Sequence, residues 1–326
     1  ADYYLSKNKN VTILDNLSRS GTQKNVDWLQ KQHGSLIKFV KGDVRNADRI
    51  LLELVENADV VFHQAAQVAV TTSVTNPRED FEVNAAGSFN VLEAVRLSSS
   101  KPIVVFSSTN KVYGKMEDVE IVERDGRYEY ASLNSGVPEM RTLDFHSPYG
   151  CSKGCADQYM IDYSRIYGLK TVVFRQSCIY GPHQFGIEDQ GWVAWFSIRA
   201  MQNLPISIYG DGKQVRDVLY IEDLIRAYEA AIENIDSTKG HAYNIGGGPN
   251  NTLSLLELIT ILEEHFGMKL DCQFEDWRPG DQLIYVSDIQ KAGEVLKWKP
   301  LISPPEGVKK LLEWLIQNRD LFSASK

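Results

Sequence analysis

The sequence predicts an α/β protein whose central sheet is parallel and covered by helices on both faces. The first observation is a regular alternation, over the first half of the chain, of short apolar segments with amphipathic segments. The second is that the apolar segments are continuous, as strands buried on both faces must be. The third is the length of 326 residues, which suffices for one large α/β domain or about two smaller ones. Because crossovers between parallel strands are right-handed, these observations predict a doubly wound, Rossmann-type sheet.

The predicted elements of the first half follow one another in strand–helix order without a break. In folds of this kind the ligand site lies at the carboxyl ends of the strands. The predicted strands are residues 11–15, 36–40, 58–63, 102–106 and 170–174. The predicted helices are residues 25–32, 47–56, 78–97 and 151–167.

The pattern changes beyond the last of these strands, where elements shorten and Gly and Pro cluster. Helical patterns at 223–233 and 253–266 alternate there with brief strands. We therefore expect a Rossmann-type domain over residues 1–180 and a smaller C-terminal α/β lobe over residues 181–326 that supplies substrate contacts. A segment near 215–245 is expected to return to the sheet domain.

Charge, hydropathy and cysteine content exclude several classes of partner. The chain carries 43 acidic and 35 basic residues, a net charge of −8, which argues against a nucleic-acid-binding protein. No apolar run approaches the ~18 residues that a membrane-spanning helix needs, so no membrane partner is expected. Four cysteines are too few for a disulfide framework at this length and predict free thiols in a reducing cytoplasm. No His, Cys, Asp or Glu spacing predicts a metal site.

An acid ends the first predicted strand. In a dinucleotide-binding fold the Asp15 carboxylate would hydrogen-bond the adenosine ribose hydroxyls of NAD, whereas Arg19 nearby keeps NADP open. An acid at a strand end can also be only a turn residue. The glycine-rich phosphate loop should lie about 20 residues before this acid, ahead of residue 1. We therefore expect the natural chain to carry a first strand and a glycine loop before Ala1.

Two further segments carry the residues of a proton relay. A hydroxyl-rich segment, Ser107-Ser108-Thr109, directly follows a predicted strand, and Tyr149 and Lys153 lie one turn apart on one face of a helix. A cation beside a phenol favours the phenolate and lowers the phenol's pKa from ~10 toward neutrality, where it can act as a general base. The Thr109 hydroxyl can complete the relay. Tyr-x-x-x-Lys alone is a weak signal, but with the strand-end hydroxyls it is specific.

With these motifs the chain resembles the extended short-chain dehydrogenase/reductase family of NAD-dependent nucleotide-sugar epimerases and dehydratases. Further matches to that family are segments 42–45, 63–67, 174–182, 216–223, 243–247 and 278–281, together with Asn84. The resemblance implies an enzyme that binds NAD and a nucleotide sugar, with Thr109, Tyr149 and Lys153 as catalytic residues. The residues it implies for NAD binding are Asp15, Asn16, Ser18, Arg19, Asp43, Val44, Gln64, Ala65, Ala66, Gln67, Asn84, Ser107, Ser108, Tyr149, Lys153 and Gln176. The residues it implies for substrate binding are Thr109, Gln176, Gln190, Val193, Arg216 and Arg278, the two arginines as clamps on the diphosphate.

The two positions after Thr109 discriminate within the family. The 4,6-dehydratases carry an Asp-Glu pair there, whereas this chain has Asn110 and Lys111, so the elimination machinery is absent. Longer runs resemble the branch that inverts C2 of CDP-linked 3,6-dideoxyhexoses for bacterial surface polysaccharides. These runs are 108–114, 143–154, 189–193 and 212–218. A UDP-sugar 4-epimerase stays an alternative, because the same Tyr, Lys and Thr would serve at C4. A non-catalytic NAD(P) sensor is the alternative from another class, although such proteins typically lose the Tyr or the Lys.

Some of these residues also have purely structural interpretations. Arg216 and Arg278 could form ion pairs with Asp217 or Asp281 instead of binding phosphate. His63, at the end of an apolar strand, could equally be a core histidine or a cofactor contact.

Two regions are candidates for contacts between copies of the chain. The polar segment 115–147 is expected to be an active-site flap or an oligomer contact. The helices predicted at 78–97 and 151–167 resemble the pair that forms four-helix dimer contacts in the family. We therefore expect a homodimer or a homotetramer.

Overall fold

The structure, a computed structural model, describes residues 1–46, 49–278 and 281–322 and confirms the predicted α/β class. Two predictions fall partly outside the described residues: the start of the helix expected at 47–56, and Pro279 and Gly280 of the 278–281 motif. Within the described ranges, none of the helices combines the length and the apolar character needed to cross a membrane.

The helices and strands alternate along the chain as follows. The strands are β1 (Val11–Asp15), β2 (Ile37–Lys41), β3 (Val60–His63), β4 (Ile103–Thr109), β5 (Ile121–Arg124), β6 (Arg127–Tyr130), β7 (Thr171–Gln176), β8 (Cys178–Tyr180), β9 (Ile206–Tyr209), β10 (Val215–Tyr220), β11 (His241–Ile245), β12 (Thr252–Ser254), β13 (Cys272–Glu275) and β14 (Ile284–Tyr285). The helices are α1 (Asp2–Ser6), α2 (Thr22–His33), α3 (Arg49–Glu56), α4 (Val70–Thr75), α5 (Pro77–Phe81), α6 (Gly87–Leu97), α7 (Ser147–Tyr167), α8 (Trp192–Met201), α9 (Ile221–Glu233), α10 (Ile235–Thr238), α11 (Leu255–Phe266), α12 (Gln290–Leu296) and α13 (Pro304–Gln317).

Parallel strands form the centre of the first domain in two hydrogen-bonded groups. One group has the order β11-β7-β4-β3, and the other pairs β1 with β2. The sequence predicts one continuous sheet, whereas no strand in the described part of the chain pairs with both β1 and β3. Thr109 is in register with Gln176, so the carboxyl ends of β4 and β7 lie side by side.

Helices cover both faces of the four-stranded group. Val104 and Phe106 of β4 pack into an apolar cluster with α3, α6 and α7, while Val105 packs into another with α9 and α12. All three side chains are fully buried. Because successive residues of a strand point to opposite faces, both faces of this sheet are covered, which confirms the doubly wound prediction.

The helix predicted at 78–97 is interrupted in the structure. One π-helical turn, Glu82–Ala86, joins α5 to α6 and carries Asn84. A Cβ at Gly87 would lie 2.7 Å from Val44 Cγ2, so α6 approaches the loop after β2 more closely than a larger residue would permit.

The helix that carries the Tyr-x-x-x-Lys motif begins earlier than predicted. α7 starts at Ser147 instead of residue 151, because Pro148 suits the first turn of a helix. Tyr149 and Lys153 therefore both lie within regular helix.

The second half of the chain builds a lobe around β10. This strand pairs with β8, β12 and β14, and β9 pairs separately with β13. Helices α8, α11 and α13 share one apolar cluster with β9 and β10. β11 lies instead beside β7 in the first domain. The division at residue 180, with a return near 215–245, remains a proposal.

The segment 115–147 is anchored to this lobe. Its hairpin, β5 with β6, places Tyr130 in a buried apolar cluster with Val137 and Tyr285. The backbone N–H of Val137 also donates to the Val286 carbonyl at 2.8 Å. This packing favours a fixed element over a flap.

Candidate active site

Helix α7 presents two buried side chains one turn apart, Tyr149 and Lys153. The Lys153 ammonium lies 4.3 Å from the centroid of the Phe106 ring, a cation–π contact at the floor of the site. Burial lowers the pKa of Lys153 to about 7, and the carboxylates of Asp157 and Asp80 act against that shift. The lysine therefore titrates near neutral pH.

The sequence predicts a lowered pKa for Tyr149, and the structure shows a raised one. Burial is the largest cause, a hydrogen bond with Thr109 acts in the opposite direction, and the charge of Asp80 adds to the rise. The prediction is therefore wrong for this structure, because moving a phenolate out of water is the largest influence on this pKa.

Thr109 ends β4 and caps the following 3-10 turn, Asn110–Tyr113. Its hydroxyl accepts a hydrogen bond from the Lys111 backbone N–H at 3.3 Å and contacts Tyr149. The turn closes at Gly114, whose φ of 69° and close approach to the next loop leave no room for a side chain. The fold thus brings together the hydroxyl and the phenol that a proton relay requires.

A buried carboxylate, Asp80, supports this helix from α5. It accepts hydrogen bonds from the Ser152 hydroxyl at 2.5 Å and from Asn84 Nδ2 at 3.1 Å. Asn84 also donates to the Gln67 carbonyl at 3.0 Å and accepts from the Gln67 N–H at 2.9 Å. The amide of Asn84 is therefore engaged in positioning the loop after β3, and its predicted contact with NAD stays a prediction. No motif in the sequence marks Asp80 as part of the site.

A second buried carboxylate, Asp157, forms a bidentate ion pair with Arg175, with N–O distances of 2.9 and 3.0 Å. It also accepts from the Ser108 hydroxyl at 2.7 Å. Ser108 therefore points to the face covered by α7, opposite to Ser107, as alternation along a strand dictates. Asp157 is not among the predicted site residues, although its position one helical turn after Lys153 is a signal that could indicate it.

A polar cluster joins the carboxyl ends of β3, β4 and β7. Ser107 Oγ donates to Gln64 Oε1 at 2.7 Å, and Gln176 Nε2 donates to Ser107 Oγ at 2.9 Å. The Tyr228 hydroxyl of α9 accepts from Gln176 Nε2 at 2.8 Å and from Gln64 Nε2 at 3.2 Å. Three predicted cofactor residues are thus brought together by Tyr228. This tyrosine is not among the predicted site residues, because its helical pattern indicates only packing.

The residues predicted for the adenosine end gather after β1 and β2. Asn16 Nδ2 donates to Asp43 Oδ2 at 2.8 Å, and Arg45 binds the same carboxylate through two nitrogens at 2.7 and 3.0 Å. Those Arg45 bonds hold the pKa of Asp43 well below its usual range. Asp15 Oδ1 accepts from the Leu17 N–H at 2.7 Å, and Oδ2 accepts no hydrogen bond from the described residues. That oxygen can accept from a ribose hydroxyl, so these residues fit NAD.

Other predicted cofactor residues lie close to this end. An Arg19 nitrogen donates to Gln190 Oε1 at 2.6 Å, so a predicted cofactor residue meets a predicted substrate residue. The Ser18 N–H donates to Asn16 Oδ1 at 2.9 Å, and Val44 is buried in the cluster with α6. The remaining predicted residues in the loop after β3 are Ala65 and Ala66.

The two arginines predicted to hold a diphosphate are paired with carboxylates. Arg216 Nη2 lies 2.8 Å from Asp281 Oδ1, and Arg278 Nη1 lies 3.2 Å from Asp189 Oδ1. The Arg278 guanidinium also lies 3.7 Å from the centroid of the Tyr209 ring. Ion pairs with partly exposed carboxylates are weak, so both guanidiniums can exchange them for phosphate oxygens.

Three further residues lie in surroundings that indicate a structural role. His63 is buried with Nε2 2.8 Å from Ser88 Oγ, and burial lowers its pKa to about 3, as for a core histidine. Asp217 is buried and accepts from the Gly248 N–H at 3.1 Å, so it is not the partner of Arg216. Val193 is buried in the apolar cluster of α8, and its predicted substrate contact finds no support in this packing. The described residues contain no group of three His, Cys, Asp or Glu side chains placed to hold a metal ion.

Comparison with known proteins agrees with this geometry. A family model described as NAD dependent epimerase/dehydratase family matches residues 1–246. The chain belongs to this family. A CDP-paratose 2-epimerase from Salmonella typhi is 45% identical over 322 residues, which cover 96% of this chain and 94% of that protein.

Solved structures of family members have the same fold. The structure of a UDP-glucose 4-epimerase from Thermotoga maritima with UDP-glucose superposes with a TM-score of 0.82 at 29% identity, covering 98% of this chain and 94% of that one. The structure of a UDP-glucuronic acid 4-epimerase from Bacillus cereus with UDP-glucuronic acid and NAD gives a TM-score of 0.80 at 27% identity, covering 97% and 94%.

Membership of this family confirms the predicted enzyme class and NAD as the cofactor. When bound, NAD supplies a reversible acceptor for a hydride. Asp15 and the polar cluster around Ser107 are the described groups suited to hold it. The assignment of individual contacts to these residues stays a prediction.

Proposed function

We propose that this protein inverts C2 of a CDP-linked 3,6-dideoxyhexose, converting CDP-paratose to CDP-tyvelose for bacterial lipopolysaccharide O-antigen. The observation that carries the proposal is the contact of the Thr109 hydroxyl with the Tyr149 phenol, one turn from Lys153. It occurs in a chain 45% identical to a CDP-paratose 2-epimerase. Asn110 and Lys111 support epimerisation over elimination, because neither is a carboxylate.

The chain's own residues manage the proton of the C2 hydroxyl. Tyr149 takes this proton as its phenolate, and Thr109 holds the hydroxyl. A charged Lys153 one turn away would offset part of the rise that burial gives the pKa of Tyr149. Loss of that proton together with the C2 hydride leaves a 2-keto sugar. Tyr149 then returns the proton to the C2 oxygen when hydride is added to the opposite face.

Inversion requires the keto sugar to turn over within the site. Arg216 and Arg278 would anchor the diphosphate while the sugar swings about the bonds that join it to the phosphate. Both guanidiniums have carboxylate partners that they can release. The reaction has no net change in oxidation state, so the same NAD serves every turnover.

The test is incubation of the purified protein with CDP-paratose, UDP-glucose and UDP-glucuronate in turn, with the configuration at C2 and C4 followed by NMR. We expect inversion at C2 of CDP-paratose alone. Inversion at C4 of a UDP-sugar, with CDP-paratose untouched, would replace this proposal by a UDP-sugar 4-epimerase. The fold similarity to the two UDP-sugar 4-epimerases keeps that second candidate open, at 29% and 27% identity against 45% for the CDP-paratose 2-epimerase. Binding of NAD without any turnover would identify a sensor.

We further propose that the enzyme is a homodimer or a homotetramer built through α6 and α7. Phe89 of α6 and Tyr159 of α7 stack edge to face at 5.7 Å, and both are exposed. Ile166 and Tyr167 extend this apolar face and are exposed as well. Exposed apolar patches of this kind mark contacts between proteins. A monomer by light scattering at micromolar concentration would contradict the proposal.

A cytoplasmic location is proposed on the state of the cysteines. All four are unpaired thiols in the structure, which suits a reducing compartment. Fractionation of the native host, with the protein recovered in the membrane-free cytoplasmic fraction, is the expected result.

A further inference from the structure

Lys111 is a partly buried ammonium that the proton relay does not use. Its side chain extends from the 3-10 turn after Thr109, and Nζ donates to Gln282 Oε1 at 3.0 Å. Gln282 is itself fixed, because its Nε2 donates to the Gly114 carbonyl at 2.6 Å. The lysine is therefore held in place by a neutral amide, and two of its three N–H donors are left for another acceptor.

The charges around Lys111 do not balance. Burial and the neighbouring Arg216 lower the pKa of Lys111 to about 8, and Asp281 acts in the opposite direction. The Asp281 carboxylate is engaged with Arg216 at 2.8 Å and with the Gln282 N–H at 2.9 Å. In the parts of the chain that the structure describes, no carboxylate lies within ion-pair distance of Lys111 Nζ. The one nearby carboxylate is thus paired with Arg216 and not with Lys111, which leaves a site suited to an anion.

The place of Lys111 in the chain indicates which anion. On one side its own N–H donates to the Thr109 hydroxyl, which belongs to the proton relay. On the other side lies Arg216, proposed to hold the diphosphate. Since Arg216 is near enough to lower the pKa of Lys111, a ligand that reached from Thr109 to Arg216 would pass close to the Lys111 ammonium.

We propose that the Lys111 ammonium binds the phosphoryl group next to the sugar, and so completes the diphosphate site on its sugar side. This inference rests on the proposed nucleotide-sugar function. It assigns to Lys111 a binding and specificity role at the position where related dehydratases carry an acid. A purely structural lysine, which only ties the turn to Gln282, is the competing interpretation.

The test compares two nucleotides that differ by one phosphate. Titration calorimetry of the purified holoenzyme with CDP and with CMP is carried out for the wild type, Lys111→Met, Lys111→Arg and the exposed control Lys115→Met. We expect Lys111→Met to weaken CDP binding at least tenfold and CMP binding less than twofold. Lys111→Arg should restore much of the loss, and Lys115→Met should bind both nucleotides as the wild type does. Bound NAD and the thermal midpoint should be unchanged in all variants.

Several outcomes would overturn the inference. Equal weakening of CDP and CMP binding in Lys111→Met, or no weakening of either, would show that Lys111 does not bind the phosphoryl group. Loss of bound NAD or of thermal stability in Lys111→Met, with the affinities for CDP and CMP reduced to the same degree and not restored by Lys111→Arg, would show that the lysine only ties the turn to Gln282. The wild type is also titrated with UDP. A wild type that binds neither CDP nor UDP would overturn the proposed substrate class as well, which separates that failure from the failure of Lys111 alone.

Discussion

Two ends of the site handle charge in opposite ways. Next to Lys153, the carboxylates of Asp80 and Asp157 are fully buried, and each accepts hydrogen bonds from at least two side chains. At the substrate end, Asp281 and Asp189 are partly exposed and pair with arginines. Breaking a buried network is costly, whereas an exposed ion pair contributes little. The first end is therefore fixed before ligands arrive, and the second can exchange its partners for a diphosphate.

The largest effect is expected from removing the proton acceptor at the fixed end. Tyr149→Phe keeps the ring and its packing but cannot carry the proton of the C2 hydroxyl. We expect kcat to fall by about 10²–10⁴ while bound NAD is unchanged. Turnover with CDP-paratose and the NAD released on denaturation are the two measurements. Tyr163 lies on the same helix as Tyr149, and its hydroxyl donates to Glu93 of α6. The control Tyr163→Phe should retain activity. Activity of Tyr149→Phe close to wild type would show that another group takes the proton.

The next largest effect is expected on stability. Asp157→Asn leaves the Arg175 guanidinium buried without its counter-charge, so we expect the free energy of unfolding to fall by about 3–5 kcal/mol. Asp162→Asn breaks an exposed pair with Arg165 on the same helix and should cost less than about 0.5 kcal/mol. Urea unfolding of the holoenzyme gives both values. Equal losses of unfolding free energy in the two variants would contradict the distinction between buried and exposed ion pairs.

A smaller effect is expected on the pH profile. Asp80 raises the pKa of Lys153, so Asp80→Asn should let that pKa fall below about 7. Since the charged lysine stabilises the phenolate, activity is lost as pH rises through the pKa of Lys153. The alkaline limb of kcat/KM should therefore move to lower pH, and the acidic limb should move the same way, because Asp80 also raises the pKa of Tyr149. If the alkaline limb of Asp80→Asn coincides with that of the control Asp162→Asn, Asp80 affects the site only through its hydrogen bond with Ser152.

Features set by local sequence could be predicted, whereas features that depend on tertiary contacts could not. β1 was predicted to the residue, because β-branched residues fill it and Asp15 ends it. The π-helical turn at Glu82–Ala86 was missed, because the local sequence fits an uninterrupted helix and the turn depends on how Asn84 meets its partners. Parallel pairing and coverage of both sheet faces followed from periodicity alone.

In the site, residues within motifs could be predicted, and residues that act on them through space could not. Tyr149 and Lys153 carry a spacing with chemical meaning, whereas Asp80 and Tyr228 reach the site from helices that read only as amphipathic. The direction of the Tyr149 pKa shift was missed for the same reason, since burial is a property of the folded chain. From the sequence, an ion pair of Arg216 with Asp281 is one alternative to phosphate binding. Only the structure shows that this pair forms.

The smallest effect is expected at the exchangeable end. Asp189→Asn removes the carboxylate 3.2 Å from Arg278 and leaves the stacking of that guanidinium on Tyr209 in place. A diphosphate then competes with one carboxylate fewer, since among the described residues only Glu188 Oε1 remains, 3.9 Å from Arg278 Nη2. KM for the CDP-sugar should therefore fall about two- to threefold with kcat unchanged, in keeping with an exposed pair worth about 0–1 kcal/mol. Asp236 of α10 forms an ion pair of the same length, 3.2 Å, with Lys239. The control Asp236→Asn should leave KM unchanged. A rise in KM for Asp189→Asn alone would mean that the carboxylate holds Arg278 in its binding position, which would make this end as fixed as the one around Lys153.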